Sequence, residues 1–147
     1  MIYRVVIRNT KKTFPSSFAL NELLTAERNT KHYDYRIKKF IYKPNKVKKD
    51  GEEICQKCIR NQLKGVKITK PIRCTYFIYV PNKEHDRSNV YAGVEKIFLD
   101  SLQNEKVIHS DGHNYVLDSI FYTEVDRLNP RVEIEIEEID LDGENYV

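Results

Sequence analysis

The spacing of apolar positions divides the chain into strands and helices. IRCTYFIYV (72–80) is rich in β-branched and aromatic residues and gives the strongest strand signal. YVLDSIFYTEV (115–125) is a second strand, and RVEIEIEEI (131–139) alternates apolar and charged residues as a half-buried strand does. The last of these is expected at a sheet edge, fraying into an acidic tail from about residue 138. MIYRVVIRN opens the chain as a further strand. Helical spacing appears in SNVYAGVEKIFLDSL, where Val90, Val94, Ile97 and Phe98 share a face, and in EEICQKCIRNQLKG, with Gly65 as its C-cap residue. Ser16 or Ser17 is placed to cap a helix from Phe18 carrying Leu20, Leu23 and Leu24. Tyr33, Ile37, Phe40 and Ile41 also have helical spacing, and KPNKVKKDGEE reads as a charged loop. SDGHN and LNP read as turns. This order predicts an α+β (mixed α/β) domain over residues 1–147, a small sheet with helices packed on it.

The helix from about Ser88 carries a second stripe. Asn89, Gly93, Lys96 and Asp100 follow one another at spacings of four, three and four, with Ala92 and Leu99 on the far side. A seam of Asn, Lys and Asp between apolar flanks raises the question of what it serves.

Composition narrows the class. Charged residues make up 32% of the chain and the mean hydropathy is −0.62, as expected of a soluble protein. No apolar run is long enough to span a bilayer, and the N-terminus lacks the layout of a secretory signal. Three cysteines leave no complete disulfide framework, which points to a reducing cytoplasm. The net charge of +3 is unevenly spread: residues 1–49 hold thirteen Lys/Arg against three acids (Glu22, Glu27, Asp34), whereas residues 132–147 hold seven acids and no Lys/Arg. A basic front half suits a polyanionic partner such as nucleic acid, although solvated Lys-rich faces are common.

The chemistry-bearing residues are few. Cys55 and Cys58 sit three apart on a predicted helix; with Cys74 or His85 they could form a zinc site, but as small buried hydrophobes they would simply pack. His32, His85, His109 and His113 show no HxxxH or HExxH spacing, and there is no glycine-rich phosphate loop or GxSxG elbow. Carboxylates at the ends of the 88–103 segment remain. Asp86 follows a strand, Asp100 ends the polar stripe and Asp111 lies in a turn before the next strand. Hard cations such as Mg²⁺ take oxygen ligands of this kind, can activate water beside a phosphoryl group, and leave room for a lysine such as Lys96 to offset charge. The same residues serve equally as a helix cap, an i,i+4 pair and a turn.

In order and register these segments resemble the RusA-like Holliday junction resolvases of bacteria and their phages. FALNELLTAERNTKHYDYRIKKF is similar to the family's N-terminal LNExxxAxRxN stretch. PNKEHDRSNVYAGVEKIFLDSLQNEKVIHSDGHNYV is similar to its core of strand, basic segment, D-x-D-N, helix with a Lys and a late Asp, and acidic turn. The resemblance implies a homodimer, in the cytoplasm of a bacterial cell and phage- or prophage-encoded, that binds four-way DNA junctions and cuts phosphodiesters with Mg²⁺ or Mn²⁺. It makes Asp86, Lys96 and Asp111 catalytic, Asp86, Asp111 and Asp100 metal ligands, and Asn89 a DNA contact. Phosphate contacts fall to Lys11, Lys12, Arg28, Lys38, Lys39, Lys46, Lys48 and Lys49 in the basic front half.

Two positions depart from the pattern. Ser88 stands where the second Asp of D-x-D-N is expected, and Ser110 where the acidic turn has its first acid. A serine hydroxyl is a neutral, weak ligand, so either Glu84, Ser88 or another group completes a rearranged site, or the chain binds junctions without cutting them.

Overall fold

The computed structural model describes residues 1–9, 14–19, 31–42, 46–84 and 86–140, with the backbone alone at 31–34, 40–42 and 46–47. Six strands and two long helices follow in the order β1 (Ile2–Ile7), β2 (Lys31–Asp34), β3 (Lys39–Tyr42), α1 (Lys46–Gln62), β4 (Ile72–Val80), α2 (Arg87–Asn104), β5 (Val116–Val125) and β6 (Arg131–Glu138). A 3-10 turn spans Ser16–Phe18. The main sheet has the order β1-β6-β4-β5, with β4 and β5 parallel and the other pairs antiparallel. β2 and β3 form a separate antiparallel hairpin. The small α+β fold expected from the sequence is therefore present.

One face of the sheet is the core. Val5, Ile134 and Tyr76 lie in register across β1, β6 and β4, and the rows around them, including Ile7, Val132, Ile136, Cys74 and Ile78, are equally buried. Helices α1 and α2 cover this face. Val90, Val94, Ile97, Phe98 and Leu102 of α2 are all buried, each contributing about 1.5–3 kcal/mol of hydrophobic stabilisation. Aromatic rings hold α2 in place: Phe98 meets Tyr76 edge-on at 5.8 Å, Tyr76 stacks on Phe121 at 4.8 Å, and Phe121 stacks on Tyr91 at 4.7 Å.

The opposite face carries ion pairs. Arg4 meets Glu135 at 3.0 Å, Arg73 meets Asp118 at 2.7 Å, and Arg131 meets Asp126 at 3.0 Å while lying 3.8 Å over the Tyr79 ring. This corrects the placement of RVEIEIEEI at an edge. β6 lies inside the sheet between β1 and β4, its isoleucines facing the helices and its glutamates facing arginines of neighbouring strands. Strict alternation marks one buried face and carries no information about edges.

Two further expectations are corrected. The helical spacing of Tyr33, Ile37, Phe40 and Ile41 falls on the β2–β3 hairpin, whose turn includes Lys38 with φ 53°. The charged loop KPNKVKKDGEE is largely the start of α1, which begins at Lys46. Gly51 lies inside that helix because a Cβ there would sit 2.9 Å from Phe18 Cε1 and 3.2 Å from Ile97 Cδ1. Gly65 adopts φ 74° in the turn three residues beyond the helix end, a left-handed conformation that suits glycine. At Phe18, where a helix was expected to start, a 3-10 turn ends and Ala19 is extended (φ −53°, ψ 138°); residues 20–30 lie outside the described residues.

The Tyr76 hydroxyl is fully buried without a hydrogen-bond partner; Cys74 and Ser119 lie beside it without meeting hydrogen-bond geometry. Because an unsatisfied buried hydroxyl opposes folding, Tyr76→Phe is expected to raise the unfolding free energy by about 1 kcal/mol. Urea unfolding midpoints measure this, and a loss of stability would show that the hydroxyl is bonded in solution.

Candidate functional site at the ends of the crossover helix

Asp86 ends the segment that leaves β4 and caps α2. Its backbone is extended (φ −61°, ψ 130°), and one side-chain oxygen accepts a hydrogen bond from the Ser88 backbone N–H at 2.9 Å. Such a cap is worth about 1 kcal/mol. Asp86, Ser88 and Glu84 are exposed, and the Glu84 backbone N–H donates to the Asn82 side chain at 3.1 Å. Lys96 is exposed, whereas Asn89 and Asp100 are half-buried. Gly93 and Leu99 are buried but Ala92 is exposed, so the polar stripe has core on one flank only. No ion pair joins Lys96 and Asp100 among the described residues.

Asp111 lies at the other end of this unit. Its turn is held by the Ser110 hydroxyl, which accepts from the Gly112 N–H at 3.1 Å, and by Tyr115 N–H donating to the Gly112 carbonyl at 2.9 Å. The Tyr115 carbonyl in turn accepts from Ile72 N–H at 2.8 Å, so the turn abuts the start of β4. Asp86 lies beyond the end of β4. With α2 rising about 1.5 Å per residue and β4 about 3.3 Å, the two carboxylates stand on the order of 25 Å apart within one chain. Asp86 and Asp100 are separated by roughly 20 Å along the helix.

A Mg²⁺ ion holds its oxygen ligands at about 2.1 Å. Asp86, Asp100 and Asp111 therefore do not surround one ion inside a single chain. Among the described residues no group of three His, Cys, Asp or Glu side chains could hold a metal. Glu84 and Ser88 share the Asp86 end and do not bridge the gap. Among the described residues, the three acids named from the sequence thus do not form one metal-binding group within a single chain.

What sequence reasoning missed is the cationic ground around Asp86. A cavity of about 710 Å³ opens at the carboxyl ends of the parallel strands β4 and β5, lined in part by Ser16, Asn82, Lys83, Arg87, Thr123 and Glu124. Crevices outside the carboxyl ends of parallel strands are common ligand sites in α/β sheets. Ser16 is buried, while Lys83 and Arg87 are exposed and have no ion-pair partner among the described residues. The signal was present in KEHDR, where two basic residues flank Asp86 within four positions.

The predicted phosphate contacts divide. Lys38 and Lys39 are exposed on the β2–β3 hairpin beside Tyr35 and Ile37, whose exposures are 83% and 54%. Lys49 is exposed on α1, and Lys48 is half-buried and 3.8 Å from Glu52. Lys11, Lys12 and Arg28, like His85, lie outside the described residues, as does the side chain of Lys46.

The cysteines pack. Cys55 on α1 and Cys74 on β4 are buried and Cys58 is half-buried. Burial pushes the Cys55 thiol up and the Cys74 thiol up to about 12, so neither supplies thiolate near neutral pH. In native protein at neutral pH, Ellman's reagent should titrate Cys58 rapidly and the other two only after denaturation. Rapid reaction of all three would mean that the core opens readily.

Compared with protein-family models, the chain matches none, and no curated protein is significantly similar to it.

Proposed function

We propose that the chain is a RusA-like, structure-selective DNA endonuclease, dependent on Mg²⁺ or Mn²⁺, that acts on four-way or otherwise branched DNA. The observation that carries this reading is the exposed carboxylate of Asp86, which in the chain stands between Lys83 and Arg87, two exposed cations that line the β4–β5 crevice. These cations would draw a phosphate backbone to the crevice, close in the chain to the exposed Asp86. The exposed basic hairpin at Lys38 and Lys39 adds a second place for phosphate contact, beside the exposed Tyr35 ring. Among the described residues no helix is long and apolar enough to cross a membrane. The proposed setting is the cytoplasm of a bacterial cell, with a phage or prophage as the source of the gene.

A second reading is a protein that binds junctions without cutting them. Ser88 and Ser110 favour it, since the Ser110 hydroxyl is engaged in its own turn and Ser88 lies exposed behind the Asp86 cap. Ser88→Asp distinguishes the two, because it would create cutting in a binder and raise the rate of an existing nuclease.

The test is cleavage of a synthetic four-way junction beside a linear duplex, with Mg²⁺, with Mn²⁺ and with EDTA. Metal-dependent nicks confined to the junction are expected, with Asp86→Asn lowering the rate by about 100-fold or more while junction affinity holds. Binding without nicks in either metal would leave the second reading. Junction affinity should also fall steeply with salt through counterion release. The double variant Lys83→Ala, Arg87→Ala should reduce the log–log salt slope by about 2, whereas an unchanged slope would remove these residues from the contact surface.

A further inference from the structure

The cavity at the carboxyl ends of β4 and β5 holds a polar group that the fold does not use. Ser16 is only 4% exposed, lines the cavity and has no side-chain hydrogen bond among the described residues. Buried polar groups are nearly always satisfied, so an unpartnered hydroxyl in a cavity wall marks a place where a ligand gains a hydrogen bond.

The other walls sort by chemistry. Val80 and Val90 are buried and, with Val125, give an apolar surface. Lys83 and Arg87 are exposed and supply two cations at the rim. Arg87 is also the first residue of α2, an eighteen-residue helix whose open first-turn N–H groups and dipole favour an anion at that end. Neutral polar groups lie between these zones. The Asn82 side-chain oxygen accepts from the Glu84 N–H at 3.1 Å, which leaves its NH₂ to donate, and the Thr123 and Tyr91 hydroxyls are joined at 2.7 Å. Glu124 is the one acid in the lining and can only accept.

We propose that this cavity holds one nucleoside monophosphate unit. Its base lies against Val80, Val90 and Val125, its phosphate meets Lys83 and Arg87, and Ser16 bonds a polar atom of the base or sugar. Inorganic phosphate would use the cations and leave the valines uncovered. An acyl phosphate would cover the valines and leave Ser16 and Asn82 without partners, whereas a base edge carries both donors and acceptors. The volume of about 710 Å³ lies within the range of small-molecule sites. The choice of a nucleotide over other anions with an apolar part rests on the functional reading above, and it adds a source of selectivity to that reading. Only a nucleotide out of the helical stack can enter such a cavity, and extrusion is easiest where a base is already unpaired, as at a branch point.

The test is titration of the full chain with 5′-deoxyadenosine monophosphate, with deoxyadenosine and with inorganic phosphate, followed by amide chemical shifts. At millimolar concentration the nucleotide should shift Ser16, Lys83, Arg87 and Val125, and bind about tenfold or more tighter than either fragment. Val125→Trp fills the cavity from a position already 40% exposed. It should weaken the nucleotide by about tenfold or more without lowering the thermal unfolding midpoint. The double variant Lys83→Ala, Arg87→Ala should reduce the affinity for the nucleotide to that for the nucleoside. A second arm separates a free nucleotide from one extruded out of a strand. In a four-way junction with 2-aminopurine at the branch point, binding should raise the fluorescence several-fold, since valines do not quench it as stacked bases do, and Val125→Trp should lose the preference for junction over duplex. Nucleotide binding without these two changes assigns the cavity to a free nucleotide. Absence of both the amide shifts and the fluorescence rise, or nucleotide binding that Val125→Trp and the double variant leave unchanged, overturns the site. Wild type that neither binds nor cuts branched DNA overturns the functional reading, while the titration still decides the cavity.

Discussion

Parallel pairing of β4 with β5 is the constraint from which the layout follows. Two parallel neighbours cannot be joined by a tight turn; the chain must travel back along the whole sheet before the second strand begins. Here α2 makes that return, and the Tyr76, Phe98, Phe121 and Tyr91 rings fix it against the pair. Whatever precedes α2 is therefore delivered to the carboxyl ends of the strands, and whatever follows it to their amino ends. The cationic cavity, Asp86 and the helix cap share the first pole, and the Asp111 turn occupies the second.

The open face changes the meaning of the charge asymmetry. The acidic C-terminal segment supplies an inner strand, and its glutamates neutralise arginines drawn from β1, β4 and β6 itself. Individual exposed pairs of this kind contribute only about 0–1 kcal/mol, so the network does not drive folding. Its consequence is selection among the basic residues. Arg4, Arg73 and Arg131 are engaged, so the exposed candidates for a polyanion lie elsewhere, among them Lys83 and Arg87 at the cavity and Lys38 and Lys39 on the hairpin.

Much of the fold was legible because periodicity reports burial directly. The row 131–138 alternates in the structure as it does in sequence, the β-branched and aromatic run 72–80 forms a strand with every second residue buried, and Val90, Val94, Ile97 and Phe98 face the core as their spacing requires. The hairpin was hidden because its turn is made by Tyr35–Lys38, with neither glycine nor proline, and Lys38 takes the left-handed conformation that a glycine would have signalled. The start of α1 was hidden by the opposite error. Gly51 looked like a breaker, but it is there because Phe18 and Ile97 come too close for a side chain. The carboxylates were legible as residues but not as a group, since register along a helix gives the face and leaves out the axial distance between its ends.

That distance also answers what the polar stripe of α2 is for. Asn89 and Asp100 are half-buried, Gly93 is buried, and Ala92 on the outer flank is exposed, so the row runs along the shoulder where the helix passes from core to solvent. Polar side chains at a shoulder keep their polar ends wet while their stems cover apolar neighbours, and no chemistry is needed to explain them. The Asp86 and Asp111 carboxylates lie at the poles that the stripe connects. A chain with a rigid crossover cannot fold those poles together, because bending α2 would break the aromatic contacts that hold the parallel pair.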